Sequence, residues 1–423
     1  MAPAPLSHAW LFDLLFPRTP MVTWAAEGTL PAGFERAEQF AVLPVGGGRN
    51  FMVSLAARRG TSSALTSYNA LRSGRTRLAR RALGLGLRAG LAQPLLRDKI
   101  DIGTAVGAGP ARLAAELLGE HLRQLFGQGP VIVAFGGGAG PYRKPVLQAF
   151  SAGGTPLGYV KVGWNDWTRA AVRREAAALR ACASRPRQFG VPELLGLSTW
   201  RGLDLLVTAP MPQGIRRVGS GARLPHAELL REISELSPAY RGELATSPWW
   251  LGLRSRIGQG VTDPDMRSAL LMAAERIENG HGDMPLDFGT WHGDLVPWNL
   301  ARLGHRLYAW DWESSTPDAP AGFDALHFHF QVAFVARQHS LAESLLLAAR
   351  SARPWLSGLG VPADRHGLVA ALHLLELSVR HEEARGSSGD VDGRFYPAIV
   401  PVLGKSVAPA LGLSGPASAG RAA

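Results

Sequence analysis

Trp291-His292-Gly293-Asp294-Leu295-Val296-Pro297-Trp298-Asn299, followed twelve residues later by Asp311-Trp312-Glu313, is the most informative stretch of this chain. The residues between read as a short β-hairpin. Asn299 to Leu303 runs out, Gly304-His305 turns, and Arg306 to Trp310 runs back. Such a hairpin sets Asn299 beside Asp311, with Asp294 on the loop just before it. Converging oxygen atoms of this kind suit Mg²⁺, which takes one or two carboxylates together with substrate phosphates. Asn299 and Asp311 are the expected metal ligands. Asp294 then keeps a carboxylate able to take a proton from an attacking hydroxyl. A surface loop that holds two acids by chance is the bland alternative, and the combined spacing argues against it.

His292-Gly293-Asp294, then Asn299, then Asp311-Trp312-Glu313 resembles the motif set of the aminoglycoside phosphotransferase and choline kinase group of protein-kinase-like enzymes. In that family His-Gly-Asp stands where protein kinases carry His-Arg-Asp. Its metal-binding Asp is commonly followed by an aromatic residue and Glu. The resemblance implies an α+β, protein-kinase-like fold of two lobes, one β-rich and N-terminal, the other helical and C-terminal. It also implies transfer of a γ-phosphoryl group from ATP or GTP, with Mg²⁺, to a hydroxyl of a small molecule. Asp294 is then the base, Asn299 and Asp311 hold the metal, and His292 braces the loop by hydrogen bonding. Asp324, in Gly322-Phe323-Asp324-Ala325-Leu326, stands in the place of a family Asp that braces the catalytic loop; Ala follows it where the family often has Leu. The likeness covers residues 130–330 well and the remainder only by topology.

Such a fold needs a strand Lys for the phosphates and a helix Glu to hold it. Gly158 to Gly163 reads as a strand with Lys161 on the face of Tyr159 and Gly163. Lysine is scarce, occurring only at Lys99, Lys144, Lys161 and Lys405. One inside an apolar strand therefore suggests a need for a compact ammonium. Capped by Asp166 or Thr168, the next segment reads as a helix whose inward stripe is Val172, Glu175, Ala176 and Leu179. A carboxylate on that stripe needs a cation, and Lys161 is the natural one. A salt bridge unrelated to nucleotide is the alternative.

Upstream, Val131 to Phe135 and Pro145 to Phe150 read as strands around Gly136, Gly137, Gly138 and Gly140, a candidate phosphate lid. The glycines do not match Gly-x-Gly-x-x-Gly. Arg143 and Lys144 either add charge there or are simply solvated. Asp204 to Pro212 reads as a strand entering a proline-stiffened connector. Under the resemblance this is the hinge, with adenine bonded by backbone around Thr208, Ala209 and Met211.

A length of 423 residues predicts two or three domains. The divisions expected are a basic α+β extension over 1–128, an N-lobe over 129–212 and a helical C-lobe over 213–423. Composition is that of a globular protein, 46% hydrophobic and 19% charged. No apolar run suffices for a membrane span, and no signal-peptide core opens the chain, so the cytoplasm is the expected compartment. The single cysteine, Cys182, excludes an intrachain disulfide framework and a cysteine zinc site. Tryptophans crowd the C-terminal half, mostly as core, with Trp298 the best candidate for an acceptor pocket.

Charge is uneven. Residues 1–213 hold 25 basic and 12 acidic side chains, an excess of +13, against −2 for the rest. Ten basic residues and one acid fall between Arg58 and Lys99. Such a block suits an anionic surface; the plainer account is a helix from Leu71 to Leu91 packed by its leucines, with its arginines in water. Only Tyr68 is aromatic nearby, so nucleic-acid stacking is not indicated. The rival to an active phosphotransferase is a catalytically weak, nucleotide-binding relative recruited by this block to an anionic surface or nucleic acid.

Overall fold

The structure, a computed structural model, describes residues 9–44, 50–67, 74–91, 96, 98–109, 115–127, 129, 131–137, 144–184, 187–219 and 224–388. The chain forms two compact units, residues 1–176 with 192–212, and residues 177–191 with 213–423. It is a mixed α and β protein in which an antiparallel sheet precedes a largely helical C-terminal region.

Among the described residues the first unit has nine strands: β1 (Val22–Ala26), β2 (Phe34–Pro44), β3 (Asn50–Ser54), β4 (Lys99–Ala105), β5 (Val131–Gly137), β6 (Val146–Ser151), β7 (Pro156–Gly163), β8 (Leu194–Trp200) and β9 (Leu203–Thr208). Their order is β1-β4-β2-β3-β5-β6-β7-β9-β8, antiparallel throughout. Period-two alternation gives the sheet two apolar faces. Phe40, Phe135, Leu147, Val160, Val162 and Leu205 face one way, packed by helix α1 (Ala9–Leu15) and the Leu118–Phe126 helix. On the other side Phe51, Val53, Ile132 and Phe150 meet α2 (Arg58–Ser67) and α3 (Gly74–Arg88). Farther along the sheet, Val172 and Ala176 of the Asp166–Ala183 helix cluster with Leu206. Each such large apolar side chain, fully buried, stabilises the fold by about 1.5–3 kcal/mol.

The division expected at residue 128 does not interrupt this sheet. β3 pairs directly with β5, from Asn50 opposite Gly137 to Val53 opposite Ala134. That pairing also draws Gly136 and Gly137, expected in a phosphate loop, into β5 opposite Phe51 and Asn50. Gly138 and Gly140 lie outside the described residues, as does Arg143.

Asn165, not the expected Asp166 or Thr168, caps the Asp166–Ala183 helix. Its Oδ1 accepts from the Thr168 N–H at 2.8 Å, while the Thr168 hydroxyl accepts from the N–H groups of Trp164 and Asn165 at 2.8 and 3.0 Å. These bonds satisfy donors that a helix start leaves open. Cys182, near the other end, is buried, and burial pushes its thiol up to about 12.

In the second unit most core contacts come from helices. Pro248–Gly260 and Pro264–His281 start at Ser247 and Asp263 caps, each followed by proline at the first helical position. Leu341–Ser351 starts with a capping box of Ser340 and Glu343. Leu230, Leu270, Leu345, Leu368 and Leu375 are buried, as the leucine stripes predict. Among its described residues there are also two small antiparallel sheets. One is β10 (Arg216–Arg217), β13 (Leu300–Leu303) and β14 (Arg306–Ala309); the other is β11 (Tyr240–Glu243), β12 (Pro285–Trp291) and β15 (Thr316–Pro320). Among the described residues no helix is long and apolar enough to cross a membrane.

Candidate functional site

β12 delivers the chain to Trp291, and the next three residues form a tight loop. Gly293 has φ 80°, and a Cβ there would lie 2.2 Å from the Ser314 carbonyl oxygen. Only glycine fits. Residues Pro297–Asn299 form one short helical turn before β13. The expected hairpin forms in register, with Leu300 opposite Ala309 and Leu303 opposite Arg306 across Gly304-His305. At its base the Trp310 N–H donates to the Asn299 carbonyl at 3.2 Å, which draws Asp311 to the Asn299 end. Asp311 itself sits at φ 65°, a left-handed conformation that a residue other than glycine rarely adopts.

Asp294 is held by both carboxylate oxygens. Asn299 Nδ2 donates to Oδ2 at 2.8 Å and to the Asp294 backbone carbonyl at 3.1 Å. His327 Nε2 lies 3.2 Å from Oδ1. Facing a carboxylate, Nε2 is the nitrogen that carries the proton. Burial alone would raise the Asp294 pKa, but the His327 bond, the imidazoles of His327 and His292 and the Asn299 amide overcome it and leave the net shift downward. The carboxylate is therefore ionised at neutral pH, and its side chain remains 38% exposed, enough to meet a hydroxyl.

His292 is fully buried, 4.3 Å from the Trp312 ring centroid to centroid, and its Nδ1 accepts from the Asp294 N–H at 3.2 Å. Burial lowers its pKa to about 4, against the pull of Asp294 and Asp311. A neutral imidazole in that place braces the loop. Asp324 accepts from the N–H groups of His292 and Gly293 at 2.8 and 3.2 Å. Burial drives its carboxyl up to about 6, opposed by those two bonds and by His327 and Arg380.

Two residues of this loop's support were missed in the sequence. His327 follows Asp324 by one helical turn on Phe323–Gln331, so the Asp-x-x-His spacing was a usable signal. Arg380, on the His366–Ser388 helix, donates to the carbonyls of Gly293 at 3.2 Å and Ser314 at 3.1 Å and lies over the Trp291 ring at 4.2 Å. Buried Glu376, one turn earlier, accepts from Arg380 Nε at 2.7 Å and from Arg256 at 2.9 and 3.0 Å. No local pattern links Arg380 to a loop more than eighty residues away.

Asn299 and Asp311 fit a hard cation. The Asn299 amide nitrogen is committed to Asp294, which leaves its Oδ1 as the ligand atom, and Asp311 supplies a carboxylate. Among the described residues no group of three His, Cys, Asp or Glu makes a self-sufficient metal cage. A hard cation held there by two protein oxygens would keep other positions for water and substrate phosphates.

In the first unit Lys161 Nζ donates to both oxygens of Glu175 at 2.7 Å. Glu175 is 1% exposed, and Lys161 sits on β7 between Val146 and Leu206. The pair expected from strand and helix spacing thus exists. Thr208 ends β9, opposite Tyr159 and Leu194. The Ala209 N–H, expected as an adenine donor, is already used: β8 and β9 stay paired past the strand end, and it donates to the Glu193 carbonyl at 2.8 Å.

Solved small-molecule kinases are similar to this chain. Choline kinase LicA from Streptococcus pneumoniae is 16% identical, at TM-score 0.40 over 63% of this chain and 89% of its own. A thermostable mutant of aminoglycoside phosphotransferase APH(4)-Ia is 14% identical, at TM-score 0.44 over 68% of this chain and 100% of its own. A glucosamine kinase solved with glucosamine, ADP and inorganic phosphate is 16% identical, at TM-score 0.37 over 73% and 88%. Likeness at this level carries no functional conclusion. No family model matches the chain, and none of the curated proteins does.

Proposed function

We propose that this protein is a phosphotransferase that moves the γ-phosphoryl group of ATP or GTP to a hydroxyl of a small molecule. The observation that carries the proposal is the treatment of Asp294. An ionised carboxylate, gripped on one oxygen by an amide and on the other by an imidazole, is still open to solvent. A purely structural acid would be buried or paired with a cation.

In the reaction, Asp294 takes the proton of the acceptor hydroxyl as its oxygen attacks the γ-phosphorus. The bond from that phosphorus to the β–γ bridging oxygen breaks, and ADP or GDP leaves with the bridging oxygen. Asn299 keeps the base oriented through Nδ2. With Asp311 it would hold Mg²⁺, which bound there neutralises charge on the phosphates. Lys161, aligned by Glu175, holds the nucleotide phosphates, and neutral His292 keeps the loop in shape. The aminoglycoside and choline kinase resemblance of the sequence supports a small acceptor.

The test is Mg²⁺-dependent release of ADP across a panel of amino alcohols, aminosugars and sugars, with Asp294→Asn beside the parent chain. Asn conserves shape and removes the base, so turnover falls by roughly 10²- to 10⁴-fold while nucleotide affinity persists. Binding of Mg-ATP with no turnover on any acceptor favours the catalytically weak relative. Turnover undiminished in the variant removes Asp294 from the mechanism.

A further inference from the structure

The plainer account of the basic block expects a helix packed by its leucines, but the leucines of α3 do not all pack inward. Leu87 is buried and Leu83 rests on the sheet-face core. Gly84 lets the helix settle on α2: its carbonyl accepts from the Ser62 hydroxyl at 2.7 Å, and a Cβ there would stand 2.6 Å from Thr66 Cγ2. On the opposite side Leu78 and Leu85 are 71% and 63% exposed, seven residues apart, with exposed Ala82 and Ala89 in the same stripe. Leu91, just beyond the helix, is 79% exposed. The helix is therefore apolar on two sides, and one of them faces water.

Positive charge borders that stripe. Arg81 and Arg88 line one side of it on α3, and Arg58 and Arg59 are exposed at the start of α2. Arg58 Nη1 reaches within 3.6 Å of the place a Gly90 Cβ would occupy, which brings it to the C-terminal end of α3. Among the described residues no carboxylate pairs with these four arginines. No Asp or Glu occurs from Arg58 to Arg97.

We propose that this face of α3 docks on an anionic lipid bilayer, with Leu78 and Leu85 entering the acyl boundary and Arg58, Arg59, Arg81 and Arg88 meeting headgroup phosphates. Leucine and arginine on one exposed helix face are the two contributions that interfacial binding combines. A second copy of the chain is disfavoured as the occupant, since self-association would oppose one set of arginines to another. Nucleic acid is disfavoured because the stripe presents leucines and no aromatic ring for a base to stack on.

The full chain should co-sediment with vesicles of phosphatidylcholine mixed with phosphatidylglycerol and not with phosphatidylcholine alone. Leu78→Ser with Leu85→Ser, and separately Arg81→Gln with Arg88→Gln, should each weaken binding by about tenfold or more. All four positions are exposed or at the helix surface, and unchanged melting of the variants checks their fold. As a second readout, an environment-sensitive dye on Leu85→Cys, Cys182 being buried, should shift to the blue on the mixed vesicles. No binding to the mixed vesicles overturns the proposal. Binding that ignores the leucine substitutions, with no dye shift, reduces it to surface adsorption and also overturns it. So does a dimer in solution that the leucine substitutions dissolve, or duplex DNA bound as tightly as the vesicles.

Discussion

His327 Nε2 stands 3.2 Å from Asp294 Oδ1, opposite the oxygen that Asn299 holds. The imidazole supplies a hydrogen bond to a charged acceptor and helps keep the carboxyl below its ordinary range. A bond of that kind is worth about 1.5–3 kcal/mol. His327→Ala should therefore cut kcat by roughly tenfold or more, with little effect on the KM for nucleotide. Loss of the bond also raises the Asp294 pKa, so the acid limb of the kcat/KM profile should move to higher pH. Steady-state kinetics from pH 5 to 8 reads both changes; a profile identical to that of the parent would show that His327 does not act on Asp294.

Lys161 and Glu175 form an ion pair inside the first unit. Removing one partner takes from the other a close, largely buried counter-charge, a change that costs up to about 3–5 kcal/mol. Lys161→Met alone should lower the denaturation midpoint clearly, whereas Lys161→Met with Glu175→Leu should recover much of the loss. Neither should bind Mg-ATP as tightly as the parent. Chemical denaturation and calorimetric titration separate the stability effect from the binding effect, and a double variant no more stable than the single one argues against the pairing.

Arg380 ties two backbone carbonyls, those of Gly293 and Ser314, to one side chain. Lysine offers a charge but no fork. Arg380→Lys should lower kcat by several-fold and leave the KM for ATP nearly unchanged, because the loop beside Asp294 loses a brace while the phosphate clamp is intact. A rise in KM with kcat preserved is the opposite result and assigns Arg380 to binding.

Stability should fall as the medium turns mildly acidic. Burial holds His121, His292, His329 and His373 below their ordinary pKa of 6.5, with His292 and His329 near 4. Above 6.5 neither state is protonated at these groups. Below it the unfolded chain takes up protons that the folded chain refuses, at His292 and His329 down to about pH 4, so stability drains as the pH falls below 6.5. Two carboxyls work the other way: Glu38 and Asp324 are raised to about 7 and about 6, and the fold keeps their protons where the unfolded chain sheds them. Four groups against two leave a net loss on acidification. Melting at pH 7.5 and pH 5 checks it; an equal or higher midpoint at pH 5 means that these histidines are not held neutral.

The hairpin from Asn299 to Asp311 and the pairing of Lys161 with Glu175 were legible because each rests on local chemistry: a two-residue turn, and a carboxylate on an apolar helix stripe. His327 was legible in principle, one helical turn from Asp324. Arg380 was not, since its contacts join segments far apart in sequence. That Gly136 and Gly137 end a strand was not legible, for a related reason. Their conformation was set by β3, a strand more than eighty residues upstream, and glycine in isolation reads as a turn.

The hydrogen-bonding of β3 to β5 governs how this protein can be cut. Expression from residue 129 onward would strip β5 of its β3 neighbour and leave the edge from Ala134 to Gly137 bare, the kind that recruits another chain and precipitates. A shortened version made to isolate the phosphotransfer machinery would therefore fail for want of a sheet partner, and its inactivity would say nothing about what the first 128 residues contribute to chemistry.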